Sequence, residues 1–95
     1  MNIINIGNDN YVSANEIKCI FDSNVKSVQS LRGKWKNGGE KEYIDITARK
    51  KTRSIIVTDD FIYASNISPK TLAFRIQKDA GEQPSSLVYD VSEDE

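Results

Sequence analysis

Four cations fall within five positions: Arg49, Lys50, Lys51 and Arg53, with Thr52 between them. Unpaired charge is too costly to bury, so this stretch must meet solvent or a ligand. The chemistry it suits is contact with phosphate. Arginine forks onto phosphate oxygens, lysine supplies a point charge, and the Thr52 hydroxyl adds a donor. Lys34 and Lys36 are candidates to extend the patch. The plainer reading is a solvated loop whose charges keep a sheet edge soluble. Short basic runs do not by themselves separate the two.

Other chemistries find little support. The chain has no histidine. It therefore lacks the usual general base near neutral pH, the commonest metal ligand and any Ser-His-Asp triad. The Asp59-Asp60 pair reads as a solvated turn rather than an acid/base pair. Gly38-Gly39 lacks the spaced glycines and terminal Lys-Ser/Thr of a phosphate-binding loop, and neither RNA-module aromatic motifs nor zinc-ligand spacings occur. Cys19 reads as a small buried hydrophobe. The expectation is a non-enzymatic protein with no cofactor, no metal and no small-molecule ligand.

Ninety-five residues make one domain, and so small a core gains from oligomerisation. The formal net charge of −1 hides an asymmetry. Residues 1–78 carry all 13 Lys and Arg against eight acids, a balance of +5, whereas residues 79–95 carry six acids and no base. The body is basic and the tail acidic. One cysteine permits no intrachain disulfide, which suits a reducing cytoplasm. No apolar run is long enough for a membrane span, and the first residues show no secretory pattern.

The elements that must carry the cluster follow from patterning. Asn2–Ile6 predicts a first strand, with Ile4 and Ile6 on one face and Ile3 on the other. Gly7–Asn10 is a turn, Tyr11-Val12 is extended, and Ser13–Asn15 turns again. Ile17–Phe21 predicts a strand with Ile17, Cys19 and Phe21 on one face. Asp22-Ser23-Asn24 is suited to cap a helix reaching about Asn37, with Val25, Val28, Leu31 and Trp35 as its apolar stripe and Gly33 as a weak point. Tyr43–Ala48 predicts another strand. Ser54–Thr58, with its Ile55-Ile56-Val57 run, predicts a central strand covered on both faces, and Phe61–Ser65 returns from it as a hairpin. Ser68-Pro69 is a helix start, with Leu72, Ala73, Ile76 and Ala80 on the apolar side and Gly81 as the stop. The division expected is a domain over 1–81 and a flexible acidic tail over 82–95.

Three blocks, INIGNDNYVSANEIKCI (Ile4–Ile20), IDITARKKTRSIIVTD (Ile44–Asp59) and ISPKTLAFRI (Ile67–Ile76), resemble the RemA family of bacterial regulators of extracellular (biofilm) matrix genes. The resemblance implies an α+β domain: a small, mostly antiparallel sheet with two helices, similar to LytTR-type DNA-binding modules. It also implies a homo-oligomeric ring that engages double-stranded DNA through repeated basic contacts, as a nucleoid-associated transcription regulator in the bacterial cytoplasm. Lys50-Lys51 stand where the family has a basic pair, with Thr52 and Arg53 after it. Departures accompany the match, among them a longer connection around Gly38–Glu42 and a shorter Asp59-Asp60 turn. Glu16 occupies a position where the family usually has arginine. Arg49 replaces a glycine and so disfavours positive φ. The basic pair is lysine rather than arginine, which loses the forks but keeps the charge. Glu16 and the acidic tail motivate a second expectation, an oligomeric protein-interaction module on the same fold whose DNA binding is lost or tail-inhibited.

Overall fold

A computed structural model describes residues 3–80, with side chains through Lys78. The expectations for Asn2, the Ala80 side chain, Gly81 and the 82–95 tail lie outside the described residues. The elements in chain order are β1 (Ile3–Gly7), β2 (Asn10–Ser13), a 3-10 turn (Ala14–Glu16), β3 (Ile17–Asp22), α1 (Lys26–Lys36), β4 (Glu42–Asp45), β5 (Ser54–Thr58), β6 (Phe61–Ser65) and α2 (Pro69–Ala80). This is the α+β class with two helices and mostly antiparallel pairing.

The centre is a four-stranded sheet in the order β3-β5-β6-β4. The predicted hairpin is present: β5 and β6 pair antiparallel from Ser54↔Ser65 to Val57↔Ile62. The Thr58 hydroxyl closes its turn by accepting from the Phe61 amide at 3.0 Å. β5 is central, and its apolar run divides between two cores. Ile55 enters a cluster with Val28, Ile62 and Ala64, on which Phe21, Trp35 and Tyr43 pack. Ile56 enters a second cluster with Ile4, Ile6, Val12, Ile20, Ile46, Leu72 and Ile76. Both isoleucines are fully buried, each contributing about 2 kcal/mol of burial free energy. The layers are therefore α1, then the sheet, then α2 together with the β1–β2 hairpin.

Several local expectations change. β4 is shorter than the predicted Tyr43–Ala48, because Asp45 and Thr47 form a turn immediately after it. It also pairs parallel to β6, Glu42↔Phe61 through Asp45↔Ala64. A register shift between Ile17 and Cys19 in the β3–β5 ladder moves Ile17 off the Cys19–Phe21 face. It packs instead on the cluster containing Ile20 and Ile56. Such a bulge places one extra residue in one strand.

The cap of α1 is not the predicted Asp22–Asn24 segment but Val25, whose side chain makes no cap hydrogen bond. Asp22 instead accepts from the Asn24 amide at 2.8 Å. Only Val28 of α1 is buried, so the predicted stripe is half occupied: Val25 and Leu31 are exposed. Trp35 packs as expected, with its ring centroid 6.1 Å from that of Phe21. α2 follows its prediction closely. The Ser68 hydroxyl accepts from the Thr71 amide at 3.2 Å, and the Ser68 carbonyl accepts from the Leu72 amide at 3.0 Å.

Candidate functional site

The basic cluster lies in the loop between β4 and β5, at the end of the sheet where Asp22 pairs with Ser54. Two sets of hydrogen bonds fasten this loop. On its entry side, the Thr47 amide and hydroxyl donate to Asp45 Oδ1 at 2.9 and 2.7 Å. The Lys50 amide then donates to the Thr47 carbonyl at 3.0 Å, closing a tight turn. On its exit side, the buried Ser23 hydroxyl donates to the Thr52 carbonyl at 2.7 Å. The Ser23 amide donates to the Arg53 carbonyl at 3.1 Å, and the Arg53 amide to the Ser65 carbonyl at 2.8 Å.

Between the loop and the start of α1 is an open groove of about 400 Å³. Arg49, Lys50, Lys51 and Thr52 from the loop and Asn24, Gln29 and Arg32 from the α1 region contribute to its lining, with Asp45 and Thr47. The structure thus gathers four of the sequence-predicted residues around one concavity. Arg53 is exposed on the same loop but outside the groove lining. Lys34 and Lys36 also lie outside it, in the last turn of α1. There they favour the negative end of the helix dipole. Lys36 Nζ stands 6.0 Å from the centroid of the Tyr43 ring.

Arg32 is the lining cation that the sequence did not single out. Its Nε donates to Tyr43 Oη at 2.9 Å and its Nη2 to Thr52 Oγ1 at 3.1 Å. The side chains of Arg49, Lys50 and Lys51 have no hydrogen-bond or ion-pair partner among the described residues. Lys18 and Asp59 form an exposed ion pair at 3.4 Å, at the other end of the sheet from the groove. An array of cations without neutralising carboxylates keeps its potential available to an anion.

One carboxylate does sit at the groove. The Thr47 amide, then the Thr47 hydroxyl, hold Asp45 below its ordinary pKa, with Arg32 and Lys36 adding smaller attractions against a desolvation cost. A depressed folded value means that Asp45 contributes stability above its ordinary pKa of 3.8, which is lost as pH falls through the folded value. Both Oδ1 bonds close the turn that presents the cluster, so this acid belongs to the loop's construction.

The loop also stores backbone strain. Ala48 and Arg49 have φ of 56° and 71°. Arg49 therefore adopts the left-handed conformation that its side chain was expected to disfavour, held there by the hydrogen bonds on either side. Left-handed backbone costs an L-residue roughly 1 kcal/mol or more. Arg49→Gly is expected to raise stability by about 0.5–1 kcal/mol, after allowing for glycine's larger unfolded-state entropy. Denaturant unfolding of the two proteins reads this, and a destabilised variant would show that Arg49's side chain supports the fold.

The remaining candidates fall into structural roles. Burial pushes the Cys19 thiol above its ordinary pKa, with Lys41 partly opposing it. This keeps the nucleophilic thiolate scarce. Glu16 accepts from the Ser13 amide at 3.3 Å as part of a capping box. It precedes Ile17, which pairs with Thr58 at the end of β3 opposite the groove. Six strand residues, about 20 Å, separate it from the cluster within one subunit. Among the described residues no helix is long and apolar enough to cross a membrane.

A small α+β domain whose one end presents an open, fastened cationic groove defines the class. The chain belongs to the RemA-like family: the family described as Extracellular matrix regulatory protein A-like matches it over residues 3–76. A regulatory protein of Thermoanaerobacter sp. (strain X514) is 33% identical over 94 residues, covering 98% of this chain and 96% of its own. One from Alkaliphilus oremlandii (strain OhILAs) is 36% identical over 88 residues, covering 90% and 92%. One from Acetivibrio thermocellus (strain ATCC 27405) is 32% identical over 83 residues, covering 86% and 87%. These relatives carry provisional names that give a regulatory role and no enzymatic activity.

Proposed function

We propose that this chain is a non-enzymatic transcription regulator that binds double-stranded DNA as a homo-oligomeric ring, within the bacterial cytoplasm and on the nucleoid. Regulation connected with the extracellular matrix is the role its family description names, and biofilm matrix genes are the targets this reading assigns. The observation that carries the proposal is the fastened groove. Arg49, Lys50 and Lys51 converge there without carboxylate partners among the described residues, on a loop tied to β3, β4 and β6. Arg53 contributes from the same loop, with Lys34 and Lys36 as outlying charge. The contacts are to phosphate, which sets affinity and position, and any sequence preference comes from DNA shape.

Assembly has its own support. Ile3, Tyr11, Val25, Leu31 and Phe74 are large apolar side chains exposed on the isolated subunit. One groove with a handful of cations binds a polyanion weakly. Copies held in a ring act together, because each further contact is made at high effective concentration. Titration of a fluorescent duplex with the full chain at low salt tests the proposal. Saturable binding by an oligomer is expected. A monomer, or a duplex left unbound, would refute it.

A further inference from the structure

Arg32 differs in kind from the other groove cations. Lys50 and Lys51 are point charges whose side chains make no hydrogen bond or ion pair among the described residues. Arg32 is braced from two directions, by Tyr43 on β4 and by Thr52 in the cluster loop. Thr52 is itself pinned through its carbonyl to the buried Ser23. Both hydrogen-bond acceptors of the guanidinium are neutral oxygens, and its attraction to the Asp45 carboxylate in the groove is a smaller one made without a hydrogen bond. A guanidinium has five N–H donors, and these two contacts use two of them. Nη1 and the second Nη2 hydrogen remain, on a side chain that lines the same groove as Arg49, Lys50 and Lys51.

We infer that Arg32 is the groove's phosphate fork. It grips one phosphodiester oxygen pair per subunit through Nη1 and Nη2, while Lys50 and Lys51 supply non-directional charge. This rests on the phosphate reading of the groove and deepens it. A fork oriented before the ligand arrives has already lost most of its side-chain freedom, so less entropy opposes each new hydrogen bond. It also supplies the bidentate geometry that Lys50 and Lys51 cannot provide. Tyr43 acts as a positioning residue: it touches the guanidinium and fixes the direction in which the free donors point.

The test uses the full chain in two arms. In the first, the Arg32 Nε–H NMR signal is followed while inorganic phosphate is added at constant ionic strength. A saturable shift is expected, and a signal that moves no more than with added chloride overturns the inference. In the second, duplex affinity is measured across a salt series for wild type, Arg32→Lys, Tyr43→Phe and Lys50→Ala. Arg32→Lys keeps the charge and loses the fork, so affinity is expected to fall about tenfold with the salt slope unchanged. Tyr43→Phe, which retains Arg32 itself, is expected to fall severalfold in the same way and serves if Arg32→Lys does not fold. Lys50→Ala is expected to make the slope shallower by about 0.9 for each phosphate it no longer neutralises. Wild-type affinity in both Arg32→Lys and Tyr43→Phe overturns the fork. Binding of polyglutamate as tight as that of duplex also overturns it, in favour of an acidic protein partner. A phosphate shift at Arg32 without duplex binding supports the fork and refutes only the DNA function.

Discussion

Replacing Lys50 and Lys51 together with alanine is expected to weaken duplex binding on the order of 10²-fold for each engaged subunit near 0.1 M salt. That figure follows from counterion release, at about 0.9 of a log unit per neutralised phosphate per tenfold change in salt. Both side chains are exposed and have no partner among the described residues, so their loss removes charge and no internal support. The loop is held by Ser23, Thr47 and Asp45, none of which the double substitution changes. Subunit mass by light scattering should therefore stay at the wild-type value while affinity falls. Undiminished binding would move the DNA surface elsewhere on the molecule.

Ending the chain at Gly81 is expected to strengthen binding, by about tenfold at low salt and much less at high salt. Residues 82–95 hold five acids and no base, while residues 1–81 hold 13 bases against nine acids. Truncation therefore turns a net charge of −1 into one of +4. An anionic segment tethered to a cationic groove competes with DNA at a local concentration in about the millimolar range. Screening shortens the reach of that competition to about 8–10 Å at physiological salt, which is why the gain should shrink as salt rises. The comparison is one of duplex affinity for the two proteins over a salt series. Equal affinity at every salt would show that the tail does not act on the groove. A gain on truncation indicates tail inhibition of a DNA surface, whereas no duplex binding at low salt by either protein favours a protein-interaction module that has lost DNA binding.

The parts of the fold that were legible in the sequence rest on short-range signals. Ile55-Ile56-Val57 announced a strand with two covered faces, Asp59-Asp60 left room only for a hairpin, and Ser68-Pro69 marked a helix start. Each depends on residues within a few positions of one another. What stayed hidden depends on distant partners. β4 pairs with β6 and not with its sequence neighbour, so nothing in Tyr43–Asp45 signals a parallel strand. The bulge that turns Ile17 onto the other face arises from register with Thr58 and Val57. Leu31 has the right spacing for the α1 stripe, yet α1 crosses the sheet on Val28 and Trp35 and leaves it 39% exposed.

The site divides in the same way. Arg49–Arg53 stood out because four cations crowd one stretch, and three of them, with Thr52, line the groove. Arg32 sat unremarked among the charges of a helix. Its orientation comes from Tyr43, eleven residues on, and Thr52, twenty residues on. Arg49's positive φ was only half legible: the glycine that the family has there points to it, the arginine side chain argues against it, and the fastened turn imposes it. Lys34 and Lys36 share the cluster's charge and lie not far from it along the chain, but the helix carries them past the groove to its own C-terminal end.

The salt dependence of duplex binding by the full chain distinguishes a multivalent DNA surface from a solvated basic loop. Arg49, Lys50, Lys51 and Arg53 with Arg32 give one subunit five cations, and hence a limiting log–log slope of about −4.5. A ring that presents several grooves to one duplex should give a linear plot steeper than that limit. A slope near zero, or no binding even at low salt, would contradict the account.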